Sequence, residues 1–181
     1  MNYFSTDEWN EEIWQDAGQI YHHAFGEEGR KTDTIIRRMF KRQMSSLHRA
    51  DLNNEVIAMA ITGRSKEFNV LIIDYMAIKE EHRSKGYGKL FLKYICNWAE
   101  ATGYKGIVVE VEADSTPENS RRIRFWESSD FQLTEYVHHY IWVPEPYQAM
   151  FLNLDNTDRL PEKGEKLFRY ITQFHKEAYS K

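Results

Sequence analysis

The spacing of apolar residues changes period several times along the chain, and each change marks an element. Trp9, Ile13, Ala17, Ile20 and Ala24 recur at three- and four-residue steps, the rhythm of one helical face. A first helix is expected from a Ser/Thr cap after Ser5 to a stop near Gly26. A second starts at Thr32 or Asp33, with Ile35, Ile36, Met39 and Phe40 on one side and a solvated basic face of Arg37, Arg38, Lys41 and Arg42 on the other. Residues 47–50 and 55–62 flank the turn-rich Asp51-Leu52-Asn53-Asn54 and read as a hairpin, followed by a polar loop over residues 63–69. Residues 70–78 (VLIIDYMAI) are apolar almost throughout, as in a central strand covered on both faces; Asp74 is the exception.

After this strand come a short charged connector, the glycine pair of KGYGK and a helical pattern that ends at Gly103. In residues 106–112, Ile107, Val109 and Val111 alternate with Glu110 and Glu112, which places the two carboxylates on one face of a strand. Residues 133–143 and 147–154 read as an antiparallel pair around Pro144-Glu145-Pro146. Pro161 suits the start of a last helix, with Leu167, Ile171, Phe174 and Ala178 in one stripe. This order implies one α/β domain over residues 1–154, a mixed twisted sheet with flanking helices, and a helical extension over residues 155–181. The extension either covers the domain or packs on a second copy in a homodimer.

Composition narrows the classes. With 41% hydrophobic and 29% charged residues in 181, the chain has the profile of a soluble globular protein. A net charge of −4 gives no general pull toward nucleic acid. There is no apolar run of about 18 residues. The acidic start MNYFSTDEWNEE lacks a leader's basic and apolar blocks, so no membrane association and a cytoplasmic setting are expected. Cys96 is the single cysteine and sits among Phe91, Tyr94, Ile95 and Trp98, a helix core position. The adjacent His22 and His23, and His138 and His139 on opposite sides of a strand, lack metal-ligand spacing, so no metal is expected.

The candidate chemistry lies where strand 70–78 turns into the next helix. Gly86 and Gly88 allow main-chain N–H groups to approach a ligand closely, and a helix N-terminus attracts anions. Two common phosphate loops are excluded: Phe91 stands where a dinucleotide fingerprint has its third glycine, and Leu90 follows Lys89 where a P-loop has Ser or Thr. What remains is Arg83-Ser84-Lys85-Gly86-Tyr87-Gly88, an R-x-x-G-x-G string eight residues past Ile78 counted to its first glycine, within AIKEEHRSKGYGKLFLKYI. It resembles the pyrophosphate-binding motif of the GNAT-type N-acetyltransferase superfamily. The resemblance implies that Arg83, Ser84, Lys85, Gly86, Tyr87, Gly88 and Lys89 hold the diphosphate of acetyl-CoA as co-substrate. It also implies that main-chain groups of Met76 and Ile78 bind the pantetheine arm, and that an N–H near Met76 or Ala77 stabilises an oxyanion.

Residues 119–131 resemble the family's second signature, N-x-x-A-x-x-F-Y-x-x-x-G-F: Asn119, Phe125 and Phe131 match, and the resemblance puts Asn119 and Phe125 at the cofactor. Arg122, Trp126 and Asp130 replace the small residue, the tyrosine and the glycine. The tyrosine often serves in the family as general acid, and an indole cannot release a proton near neutral pH. Tyr136, Tyr140 and Tyr147 are the candidate substitutes. Asp74 and Glu110 are the candidate catalytic carboxylates toward an amine acceptor, small-molecule or peptide. The plainer account is a salt bridge from Asp74 to Arg122 or Arg124 and a half-exposed strand end for Glu110 and Glu112. The expected activity is acetyl transfer to a primary amine; the alternatives are a non-catalytic acyl-CoA-binding or sensing module on the same fold and an interaction subunit that acts through its last helix.

Overall fold

A computed structural model describes residues 1–65 and 67–180. Among the described residues seven strands form one sheet in the order β1-β2-β3-β4-β5-β7-β6. They are β1 (Asn2–Thr6), β2 (Ser45–Leu52), β3 (Glu55–Ser65), β4 (Val70–Ile78), β5 (Gly106–Glu112), β6 (Gln132–His139) and β7 (Pro146–Asn153). Among the described residues five α-helices cover it: α1 (Glu11–Ala24), α2 (Asp33–Lys41), α3 (Tyr87–Thr102), α4 (Pro117–Glu127) and α5 (Gly164–Tyr179). Only β4 and β5 pair in parallel; the other neighbours are antiparallel. Among the described residues no helix is long and apolar enough to cross a membrane.

Several boundaries depart from the expectations; the strand expected over residues 133–143, for one, ends at His139. The chain opens with an edge strand, because Tyr3 packs its ring on Tyr94 at 4.6 Å, and the cap of α1 is Asn10, whose side chain accepts from the Ile13 N–H at 3.0 Å. The loop expected over residues 63–69 is shorter, since β3 runs on to Ser65 against Val70. Pro161 precedes α5 instead of opening it, since the helix starts at Gly164. The hairpin, by contrast, turns on Asn53 and Asn54, both with positive φ (51° and 66°), the geometry that matches the twist of paired strands.

The helices divide between the two faces of the sheet. Phe91, Leu92, Ile95 and Ala99 of α3, with Trp126 of α4, pack on Leu71, Ile73, Ile107 and Val109. On the other face Trp14, Ala17, Ile20 and Tyr21 of α1 and Ile36, Met39 and Phe40 of α2 meet Met59, Ile61 and Ile72. The rest of that face is closed by α5, whose Leu167, Phe168 and Ile171 lie against Val70, Val108, Ala149 and Phe151. The extension therefore covers the sheet within this chain. Part of the basic face of α2 is engaged as well: Arg42 donates to the Glu177 carbonyl at 2.8 Å and Arg38 to that of Ser180 at 3.0 Å, neutralising the negative end of α5.

Close approach fixes the register of α5. A Cβ on Gly63 of β3 would overlap the Phe174 ring, so glycine there is what lets the helix seat. Gly63→Ala is expected to destabilise the protein by about 1–3 kcal/mol through overpacking, measured by urea unfolding.

On the α3 face, His48 is fully buried between Ser5 Oγ at 2.6 Å and Thr62 Oγ1 at 2.9 Å, and Ser5 also bonds Tyr94 Oη at 2.7 Å. Burial, with the Arg64 charge, depresses the imidazole pKa to about 3. Because the folded value lies below the unfolded one, stability is complete above the ordinary histidine range. It is lost as pH falls, when only the unfolded chain takes up the proton. Wild type is expected to lose about 2–3 kcal/mol more than His48→Gln between pH 7 and pH 4.5, at about 1.4 kcal/mol per pH unit below about 6.5. Parallel pH dependence of the two proteins would contradict this.

Candidate active site

The sheet opens between β4 and β5. β4 and β5 stay in register from Val70↔Gly106 to Ile73↔Val109, and there their pairing stops. Just past that point β4 carries an extra residue: Thr62 faces Ile73 and Ile61 faces Tyr75, which leaves Asp74 in a bulge. Beyond it β4 continues on β3 while β5 continues on β7, so the two parallel strands diverge. The Lys79 N–H bonds the Ile57 carbonyl of β3 at 2.8 Å. Alternation then turns the amides of Ile78 and Met76 away from β3 toward the gap, and that of Ala77 toward β3. Of the two amides expected near an oxyanion, only Met76 faces the opening.

At one end of the gap lies the glycine loop. Ser84 and Gly86 have φ of 59° and 82°, and α3 starts after Gly86 with neither a side-chain cap nor an acid in its first turn. Arg83 donates through Nε to the Ile78 carbonyl at 3.0 Å and Lys85 to that of Glu81 at 2.7 Å, so both basic chains brace the loop. Tyr87 and Gly88 are half-buried, and Lys89 is exposed. A Cβ on Gly88 would come within 3.2 Å of Phe125 Cε2, which brings Phe125 beside the loop. Free first-turn N–H groups, a bare Gly88 and basic neighbours suit a diphosphate, and the open strand edge suits an extended arm. Asn119 is spent on its own loop: it donates to the Asp114 carbonyl at 3.1 Å and accepts from Arg122 at 3.2 Å.

Asp74 and Glu110 stand at the other end, on the face covered by α1, α2 and α5. They are joined by two residues that sequence reasoning missed. Lys31, in the α1–α2 connection, donates to Asp74 Oδ1 at 2.8 Å and lies 3.2 Å from His175 Nδ1. His175 Nε2 is 2.9 Å from Glu110 Oε1, and the Tyr140 hydroxyl donates to Glu110 Oε2 at 2.8 Å. The side chains are 2% (Lys31), 3% (Asp74), 17% (His175) and 25% (Glu110) exposed, so Glu110 is the carboxylate nearest to solvent. Asp74 is thus paired with Lys31, not with Arg122 or Arg124; Arg122 instead bridges Glu112 at 3.4 Å and Glu118 at 2.7 Å.

An ammonium can only donate, so His175 Nδ1 accepts and the ring proton sits on Nε2, facing Glu110. Burial alone would raise the Glu110 carboxyl, but His175, Tyr140 and Lys31 outweigh it and hold the group below the usual carboxylate range. Burial, then the charge of Glu110, drives the Tyr140 phenol upward. Tyr147 is pushed up to about 12 by burial and by Glu110, Glu112 and Glu145. Two carboxylates against one ammonium leave one net negative charge, which favours a cationic guest. Trp126 is buried between Phe125 and Phe131 at 5.2 and 5.1 Å, in the core of the opposite face.

Lys31 gave no sequence signal, since GRKTD reads as an ordinary loop. His175 could have been suspected from its place beside the Phe174 stripe, yet its partner lies 65 residues away. The Asp74–Lys31 pair makes a distinct prediction. Asp74→Asn strands a buried ammonium and is expected to cost about 3–5 kcal/mol in chemical unfolding. Asp74→Leu with Lys31→Met, which removes both charges, should recover most of that loss.

The family model described as Acetyltransferase (GNAT) family matches residues 6–131. A structure from Bacteroides thetaiotaomicron, assigned to the GNAT acetyltransferases, superposes with a TM-score of 0.77 at 16% identity over 100% of both chains. The ribosomal-protein-S18-alanine N-acetyltransferase of Escherichia coli gives 0.61 at 17% identity, over 85% of this chain and 95% of its own. An aminoglycoside 6'-N-acetyltransferase complexed with coenzyme A gives 0.68 at 10% identity, over 89% and 99%. None of the curated proteins matches the sequence. At these identities the structural likeness is one of fold, but the family model spans well over half of the chain, and the chain belongs to the GNAT acetyltransferase family.

Proposed function

We propose that this chain is an acetyl-CoA-dependent N-acetyltransferase that acts on a primary amine. The observation that carries the reading is the pair of sites at the two ends of one strand gap: an uncapped, glycine-bearing helix start, and a largely buried carboxylate held by His175 and Tyr140. The main chain of residues 83–89 would hold the diphosphate, with Phe125 beside it and Met76 and Ile78 along the pantetheine arm. Bound acetyl-CoA supplies an acyl thioester.

The chain's own residues then have separable roles. Glu110 attracts the protonated amine and takes its proton, which an amine with a pKa near about 10.4 must lose before attack. The Met76 N–H donates to the oxygen on which negative charge develops. Asp74, sealed against Lys31, is the counter-ion of that ammonium, and the role expected for it passes to Glu110. Tyr140 is the hydroxyl closest to this chemistry, in place of the buried Trp126.

A second reading, an acyl-CoA-binding module without turnover, is favoured by the burial of Trp126 and by a Tyr140 phenol made less acidic. Thiol release from acetyl-CoA with a panel of amines decides between them: steady turnover is expected, and CoA-induced stabilisation without turnover would establish the second. Glu110→Gln is expected to lower kcat by about 10²–10⁴ with the CoA affinity unchanged in calorimetry. Gly88→Val, which drives a side chain into Phe125, is expected to abolish the CoA heat while the far-UV spectrum stays native.

A further inference from the structure

We propose that His175 and Lys31 are positioning residues that hold the Glu110 carboxylate in one orientation to receive the acceptor's proton, so that α5 completes the active site. The inference rests on the acyl-transfer reading above.

The geometry supports a directed chain. Lys31 is anchored at both ends of its residue, by Asp74 on its ammonium and by Tyr21 and Tyr75 on its main chain, whose hydroxyls bond the Lys31 carbonyl at 2.8 Å and N–H at 2.9 Å. Its donation to Nδ1 leaves His175 one proton to give, and that proton points to Glu110 Oε1. Tyr140 takes Oε2, so both oxygens are fixed, and each retains a lone pair for the incoming N–H. The helix that carries His175 cannot slide freely: Phe174 lies over Gly63, and Arg38 and Arg42 hold the last carbonyls of α5.

In the step itself the acceptor N–H bond breaks and a Glu110 O–H bond forms, the electron pair staying on nitrogen for attack. His175 does not relay this proton, because its Nε2 already carries one. Its hydrogen bond keeps Glu110 ionised at lower pH than burial alone would allow. The titratable and charged groups around Glu110 are Lys31, Asp74, His138, Tyr140, Tyr147 and His175.

The test is the pH profile of kcat/KM for wild type, His175→Phe and His175→Gln, with CoA calorimetry alongside. In His175→Phe the acid limb is expected to move up by about one pH unit, with unchanged CoA affinity and partial return in His175→Gln, which keeps a donor. An active wild type whose acid limb stays in place in His175→Phe overturns the inference and leaves acyl transfer standing. A wild type that binds CoA and turns over no amine overturns both. Should His175→Phe not fold, ¹⁵N NMR of the wild type at pH 7.5 decides: a proton on Nε2 is the expected result, and one on Nδ1 overturns the proposal.

Discussion

The structure depends on the end of one hydrogen-bonded ladder. β4 and β5 share four residue pairs, and then a single inserted residue, Asp74, bends β4 toward β3 while β5 follows β7. The N–H and C=O groups of an unpaired strand edge are a ready template for pairing, so a gap inside a sheet suits a guest with amide groups of its own. The same divergence places the start of α3 at one end of the gap and the carboxylates of β4 and β5 at the other. A single irregularity in pairing therefore creates both the groove and its chemistry.

The second constraint is electrostatic. A lysine ammonium and an aspartate are buried together at the bulge, an arrangement that a pair of apolar side chains would match or exceed in stability. What the ion pair adds is direction: a second ammonium N–H fixes the tautomer of His175, and His175 fixes Glu110. The three elements involved, the α1–α2 connection, α5 and β5, close the sheet face on which an acceptor would arrive. The terminal helix thus contributes apolar cover through Leu167, Ile171 and Phe174 and a polar side chain through the residue beside that stripe.

Local features were legible in the sequence. The limits of β4 and β5, the glycine loop and the stop of α3 at Gly103 follow from periodicity and turn chemistry, because those signals act within a few residues. Asp130, standing in place of the motif's glycine, adopts φ of 67°, so the left-handed turn survives the substitution. Strand β1 was missed because its five residues, with Ser5 and Thr6, look like a cap, and only their pairing with β2 makes them a strand. The partner of Asp74 was misassigned for the same reason: Lys31 lies 43 residues upstream, and nothing local distinguishes it from the arginines of α4. Long-range pairing of charges is decided by how helices dock, which periodicity does not encode.

Amide hydrogen exchange with and without coenzyme A tests the central claim most directly, because it reads the strand gap and the helix start in one measurement. The account predicts slowed exchange at Met76 and Ile78 on β4 and at the first-turn amides Tyr87, Gly88 and Lys89, with Ala77 unchanged because its N–H already faces β3. Exchange at those five amides that saturating coenzyme A leaves unchanged would contradict it.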